Sequence, residues 1–106
     1  MSQGCFMALY LGFTYPGKIF GGLIGCCGFI NNKVTINHCI QSKEMPILLY
    51  HGLNDNAIDV NFALSTYQKV LQNCINSRLI KAIGVGHSIN TEAKIGIKEF
   101  LFKYAK

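Results

Sequence analysis

The stretch at residues 46–52, PILLYHG, constrains the fold of this chain more than any other. A proline at its start, an apolar run and a glycine turn at its end are typical of a β-strand. Two further apolar runs, at residues 19–24 and 79–85, are interrupted or followed by glycine and predict two more short strands. These strands alternate with predicted helices along the chain, which predicts right-handed crossovers and a parallel sheet.

Three segments predict those helices. Residues 3–15 are apolar nearly all round, which is typical of a buried helix, and Pro16 with Gly17 ends the pattern. Asp59 or Asn61 can cap a second helix, in which apolar residues recur at helical spacing as far as Cys74. A third helix begins at Thr91, whereas the polar residues 31–44 predict a loop with at most a short helical turn.

The charge pattern bears on possible partners. The chain of 106 residues carries a net charge of +5, but its basic residues are scattered, and those from Lys94 to Lys106 decorate one face of the last predicted helix. No run alternates basic with aromatic residues. We therefore expect no nucleic acid partner.

The cysteines and the N-terminal segment bear on location. The five cysteines are an odd number without a C-x-x-C pair, which predicts neither a disulfide framework nor a zinc site. The apolar start has no basic region or clear cleavage site, and no segment reaches the ~20 apolar residues of a membrane span. We expect a cytoplasmic protein in which Cys5 is a small buried side chain, with lipid attachment to Cys5 as the alternative.

Three polar residues fall where a parallel sheet places functional groups. Asp55 follows the strand at 46–52, His87 follows the strand at 79–85, and Ser2 begins the first helix. Their order along the chain, Ser then Asp then His, is that of α/β-hydrolase triads. In such a triad Ser2 is the nucleophile, His87 its base and Asp55 the acid that orients the imidazole. The backbone N–H of Gln3, at the helix start, is the natural oxyanion donor.

The motifs around these residues carry a family resemblance. The chain has MSQGC followed by an apolar helix ending in YP, then HGLNDNAI around Asp55, then VGHSI around His87. In these segments it resembles the phospholipase/carboxylesterase family of α/β-hydrolases, whose patterns are G-F-S-Q-G-G, H-G-x-x-D-x-x-V and GHS or GHE. The resemblance covers essentially the whole chain. Met1 stands where the family has Phe, and Cys5 replaces the second glycine of the pair.

The resemblance implies a function and a domain organisation. Members such as acyl-protein thioesterases and lysophospholipase-like esterases are serine hydrolases that cleave acyl esters or thioesters of proteins and lipids, without metal or cofactor. The expected domain at residues 1–106 is the C-terminal part of an α/β-hydrolase fold, with about three parallel strands and three main helices. A membrane would be met peripherally, through the substrate.

The same resemblance leaves alternatives open. The first elbow glycine and the strand that feeds the serine have no counterpart here, so we expect the chain to begin part-way through the fold. It could then be an inactive α/β fragment, an interaction module, or one half of a split enzyme. Self-association or a partner chain would cover the exposed edge of the first strand.

Other residues compete for the same roles. Asp59 is a rival acid, although the H-G-x-x-D spacing favours Asp55 and leaves Asp59 as a helix cap. We expect a structural role for His51 and a solvated position for His38. The aromatic residues of the first helix are predicted to be core rather than an acyl-chain pocket; they are Phe6, Tyr10 and Phe13.

Overall fold

A three-stranded parallel sheet lies between helices in the computed structural model, which describes residues 2–14, 22–30, 32–41 and 43–104. The elements are α1 (Ser2–Thr14), β1 (Leu23–Cys26), α2 (Ile36–Gln41), β2 (Ile47–Gly52), α3 (Val60–Asn73), β3 (Ser77–Ala82) and α4 (Thr91–Tyr104). The strand order is β1-β2-β3, and both neighbouring pairs are parallel. The predicted α/β fold is confirmed, with α2 added to the three predicted main helices.

Strand β2 is the centre of the molecule, and all six of its residues are buried. Because side chains alternate along a strand, Ile47 and Leu49 join the core that α1 and α3 cover. Leu48 and Tyr50 belong to a second core on the opposite face, which includes Ala93 of α4. The apolar run of β2 therefore contributes side chains to two cores, one on each face of the sheet.

Helix α1 packs along β1 and runs in the opposite direction. A β-carbon on Gly25, near the end of β1, would lie 3.0 Å from side-chain atoms of both Cys5 and Leu9. At the other end of the contact, Gly12 of α1 packs against Leu23 at the start of β1. The first turn of α1 therefore lies at the carboxyl end of the sheet.

The prediction that α1 is buried all round is wrong. Leu9 is fully buried, but Met7 and Leu11 are each 49% exposed. Helix α1 therefore carries apolar side chains on faces that the sheet does not cover.

Strand boundaries differ from those predicted. Strand β3 begins at Ser77, which pairs with Ile47, and ends at Ala82, because Ile83 is 87% exposed and Gly84 turns the chain with a φ of 75°. The predicted bounds of this strand, residues 79–85, were wrong at both ends. An apolar run indicates burial, whereas a strand is defined by its backbone hydrogen bonds to the neighbouring strand. Strand β1 extends to Cys26, and residues 19–21 of the predicted strand lie outside the described residues.

The segment predicted as a polar loop contains the short helix α2, whose Cys39 is buried. None of the helices in the described ranges is long and apolar enough to cross a lipid bilayer.

Candidate active site

Asp55 is held by a tight turn directly after β2. Its backbone N–H donates to the carbonyl of Gly52 at 3.1 Å. One carboxylate oxygen, Oδ1, accepts hydrogen bonds from the backbone N–H groups of Ala57 at 2.8 Å and Ile58 at 2.9 Å. The Asp55 side chain is fully buried, so these two bonds fix the carboxylate and leave Oδ2 for other partners.

His87 meets Asp55 across 32 residues of sequence. Its Nδ1 lies 2.7 Å from Oδ2 of Asp55, and its side chain is 27% exposed. Because the carboxylate accepts, Nδ1 must donate, which leaves Nε2 as the basic nitrogen of the neutral ring. The structure thus brings together two of the sequence-predicted site residues in the arrangement of an orienting acid and a base.

The two loops meet because Gly52 has no side chain. A β-carbon at Gly52 would overlap the carbonyl oxygens of Val85 and Gly86. In the space this leaves, the Asn54 N–H donates to the Val85 carbonyl at 2.8 Å. The glycine of the H-G-x-x-D segment therefore permits the contact between the Asp55 turn and the His87 loop.

The residue after His87 is anchored from both neighbouring strands. The Ser88 carbonyl accepts a hydrogen bond from the hydroxyl of Tyr50, on β2, at 3.0 Å. The thiol of Cys27, just beyond β1, also donates to it at 3.6 Å. These two bonds restrain the loop that carries His87.

The surroundings of Asp55 keep it ionised. Burial on its own would raise the pKa of this carboxyl, but the hydrogen bonds from the Ile58 N–H, the His87 ring and the Ala57 N–H outweigh it. The net result is a pKa below the ordinary value. An ionised Asp55 holds the His87 tautomer and favours the imidazolium that forms when His87 takes a proton.

A second histidine also faces the carboxylate. His51 is buried, and its Nε2 lies 3.2 Å from the Ile58 carbonyl and 3.3 Å from Oδ2 of Asp55. Both neighbours are acceptors, so Nε2 carries the proton and Nδ1 keeps its lone pair. That Nδ1 is a buried nitrogen without a hydrogen-bond partner in the described part of the chain. The sequence analysis assigned His51 only a structural role, although its spacing of four residues from Asp55 was visible.

Cys27 is the fourth titratable side chain at this site, after Asp55, His87 and His51, and the sequence did not predict it. Its sulfur, a carboxylate oxygen of Asp55 and a ring nitrogen of His87 all lie within 4.8 Å of one another. Burial first, and then the negative charge of Asp55, raise the pKa of the Cys27 thiol. The thiol is therefore protonated at neutral pH and is a poor nucleophile. No local motif marks it, because the three residues converge only in the fold.

The start of α1 lies at the same edge of the sheet. The helix begins at Ser2, about one turn before Cys5, which packs against the end of β1. Gln3 and Ile58 line one cavity, and the Ile58 N–H is bonded to Asp55. The side chain of Ser2 lies outside the described part of the structure.

The remaining polar candidates lie elsewhere. Asp59 is the exposed N-cap residue of α3, without a side-chain cap hydrogen bond. His38 is partly exposed, and its Nδ1 accepts a hydrogen bond from the Thr35 N–H at 3.0 Å in an exposed position, which is consistent with the predicted solvated ring. The prediction that Cys5 is a buried side chain is confirmed, since 4% of it is exposed.

The aromatic residues of α1 divide between core and cavity. Phe13 is buried in the core, and Tyr10 packs against that core. Phe6 instead lines two cavities together with Phe29, whose ring centroid lies 5.2 Å away. The prediction of a core position is therefore wrong for Phe6, because Phe6 lies on a face of α1 that the sheet does not cover.

Known proteins are similar to this chain in sequence and in fold. The chain is 28% identical over 102 residues to acyl-protein thioesterase 1 of Schizosaccharomyces pombe, covering 93% of this chain and 45% of that protein. The crystal structure of esterase PE8 superposes with a TM-score of 0.78 at 28% identity, covering 98% of this chain and 47% of PE8. Acyl-protein thioesterase 2 of Zea mays shares the fold, with a TM-score of 0.79 at 17% identity over 98% of this chain and 53% of its own.

The chain thus spans about half the length of the relatives that it matches. The phospholipase/carboxylesterase family matches residues 1–105, which is nearly the full sequence. The chain belongs to the phospholipase/carboxylesterase family of α/β-hydrolases.

Proposed function

We propose that this chain carries the acid–base machinery of a serine hydrolase that cleaves carboxylic ester or thioester bonds. The observation that carries the proposal is the 2.7 Å hydrogen bond between His87 Nδ1 and Asp55 Oδ2 at the carboxyl end of a parallel sheet. A buried, ionised carboxylate on one ring nitrogen makes the other nitrogen an oriented general base.

Ser2 is the proposed nucleophile, and the Gln3 N–H the proposed oxyanion donor. Their support is the first turn of α1, which lies at the same sheet edge as the Asp55–His87 pair. His87 takes the proton of the Ser2 hydroxyl as the oxygen attacks the acyl carbonyl, then returns it to the leaving alcohol or thiol. Water, activated by the same imidazole, then hydrolyses the acyl-enzyme. This cycle uses protein groups alone and needs no metal or cofactor.

The proposed substrates carry acyl chains, as palmitoylated proteins and lysophospholipids do. A cavity of about 490 Å³ is lined by Gln3, Phe6, Met7, Phe29 and Ile58. Its size lies within the range of about 300–1,000 Å³ that is usual for ligand pockets, and four of its five lining residues are apolar. It begins beside the proposed nucleophile, where the acyl group of a substrate would extend. The name of the Schizosaccharomyces pombe relative supports a thioester substrate.

A fluorophosphonate probe tests the proposal, because it forms a stable bond only with an activated serine. We expect labelling of the folded protein, loss of labelling in Ser2→Ala, and hydrolysis of a palmitoyl thioester that follows the same pattern. Ser77→Ala is the matched control, since Ser77 lies at the opposite end of the sheet and should label normally. Labelling that survives in Ser2→Ala would refute the assignment of the nucleophile.

A second candidate function is that of one half of a two-part enzyme. It is favoured by Met7 and Leu11, which stand 49% exposed on α1, and by β1, which pairs with β2 alone among the described residues. If a second chain completes the sheet, adding the part of the Schizosaccharomyces pombe relative that this chain does not span should raise probe labelling. Folded protein that never labels, with or without this addition, would instead indicate an inert α/β module.

A further inference from the structure

We propose that Cys27, Asp55 and His87 form a binding site for a divalent transition metal, with Zn²⁺ the best match, and that the bound metal blocks the acid–base pair. Metal binding goes beyond the proposed hydrolase function and can be measured without turnover. Only the blocking effect rests on that proposed function. The metal site is inferred from the three possible ligand atoms, which lie within 4.8 Å of one another in the folded chain.

The ligand set selects the metal. One sulfur, one imidazole nitrogen and one carboxylate oxygen are a donor set typical of Zn²⁺, whereas Mg²⁺ and Ca²⁺ prefer oxygen alone. Three protein ligands leave the fourth tetrahedral position to water. One thiolate and one carboxylate also balance the two positive charges of the ion.

The ligand atoms must rearrange to reach tetrahedral geometry. With a Zn–S bond of about 2.3 Å, the Cys27 sulfur has to lie about 3.6 Å from the other two ligand atoms, and it now lies within 4.8 Å of both. Metal–nitrogen and metal–oxygen bonds of about 2.0–2.2 Å at a tetrahedral angle place the two ligand atoms about 3.4 Å apart. The Nδ1 of His87 and Oδ2 of Asp55 now lie 2.7 Å apart with a proton between them. The His87 side chain is 27% exposed, so its ring can move outward by this amount and give the ion access from solvent.

Neighbouring groups already hold the Asp55 carboxylate in place, as the outer shell of a metal site does. Oδ1 of Asp55 is occupied by the Ala57 and Ile58 N–H groups, which leaves Oδ2 free to bind the ion. His51 Nε2 lies 3.3 Å from that same Oδ2 and steadies it from the buried side. The thiol of Cys27 is aimed into the site, since it already donates to the carbonyl of Ser88, next to His87.

Binding would change protons in a defined way. The Cys27 thiol loses its proton to solvent as the metal–sulfur bond forms. The proton on His87 Nδ1 gives way to the metal, and the ring keeps its single proton by taking the tautomer with hydrogen on Nε2. The nitrogen that would accept the Ser2 proton is then blocked, so a bound metal and hydrolysis exclude each other. About one proton is released for each ion bound.

Cobalt substitution gives a direct test, because a thiolate bound to Co²⁺ produces a charge-transfer absorption band. We expect this band in the reduced wild-type protein, its loss in Cys27→Ala, and its retention in Cys26→Ala. Cys26 is the matched control, since it is the adjacent cysteine and lies outside the cluster. Zn²⁺ should displace Co²⁺ and abolish the band.

Calorimetric titration with Zn²⁺ supplies the second readout. His87→Ala keeps the buried part of the site and should weaken Zn²⁺ binding by more than the roughly 10–100-fold that loss of an outer-shell partner costs. If Cys27→Ala fails to fold, this variant still decides the question. A wild-type protein without the cobalt band, a band that Cys26→Ala removes, or Zn²⁺ affinity unchanged in His87→Ala would overturn the proposal.

Discussion

Replacing Gly52 by alanine should both destabilise the protein and loosen the Asp55–His87 pair. The added β-carbon would overlap the carbonyl oxygens of Val85 and Gly86 and would stand 2.9 Å from the carbonyl carbon of Val85. All three atoms are backbone, so no side chain can rotate away. The loop that carries His87 must shift, and the hydrogen bond from the Asn54 N–H to the Val85 carbonyl, now 2.8 Å, lengthens with it.

The size of the effect follows from this overlap. Forcing extra atoms into a packed site costs about 1–3 kcal/mol. Alanine returns about 0.4–1 kcal/mol by restricting the unfolded chain. Because all of the overlapping atoms are backbone, the upper half of the packing cost applies, about 2–3 kcal/mol. The free energy of unfolding should therefore fall by about 1–2.6 kcal/mol, which lowers the Tm by roughly 4–21 °C for a chain of this size.

Thermal unfolding followed by circular dichroism measures this change, and Gly86→Ala is its control. A β-carbon on Gly86 would meet the Asn54 carbonyl oxygen at 3.7 Å, an ordinary contact, so that variant should stay within about 0.5 kcal/mol of wild type. The overlap argument fails if Gly52→Ala unfolds at the wild-type temperature, or if both variants lose the same stability.

Three further changes test other parts of the account. Asp55→Asn should lower kcat for an aryl ester by about 10⁴, whereas Asn56→Ala, at the exposed neighbouring residue, should leave kcat unchanged. A fall in kcat of less than about tenfold in Asp55→Asn would contradict the role of Asp55. Tyr67→Phe removes a buried hydroxyl that donates to a backbone carbonyl at 2.8 Å, so urea denaturation should show a loss of about 1–3 kcal/mol, and Tyr104→Phe almost none. Burial raises the pKa of Cys5 from 9.0 to about 11, so its contribution to stability is complete below pH 9 and is lost as the pH rises through 11. Wild type should therefore lose about 1.4 kcal/mol more per pH unit than Cys5→Ala across that window, and parallel curves would refute the burial of this thiol.

The sequence was sufficient for the fold and for one pair of site residues. The apolar run of β2 and the helical spacing in α3 are local patterns whose meaning does not depend on partners far along the chain. Asp55 and His87 could be placed because each directly follows a strand, and parallel strands deliver such residues to one edge. The structure bears this out with the hydrogen bond between them.

The errors come from features that only the folded chain defines. The apolar run at residues 79–85 did not show that Gly84 would turn the chain and leave Ile83 in solvent. Cys27 carries no local motif, and the H-G-x-x-D segment that contains His51 does not by itself show that the His51 ring faces the carboxylate. Both residues join the site because the ends of β1 and β2 lie side by side. Phe6 was predicted to be a core residue because helix α1 is apolar on nearly all faces. The sheet covers only some of those faces, and Phe6 lies on one that it leaves uncovered.

The central claim is that His87 is held by Asp55 with its proton on Nδ1 and its Nε2 free to act as a base. Nitrogen-15 NMR of the imidazole measures this most directly. For the neutral ring the account predicts a protonated Nδ1 whose hydrogen resonates far downfield, an unprotonated Nε2, and loss of the downfield signal in Asp55→Ala but not in Asp59→Ala. A His87 ring that exchanges between both tautomers like free imidazole, in a folded protein, would contradict it.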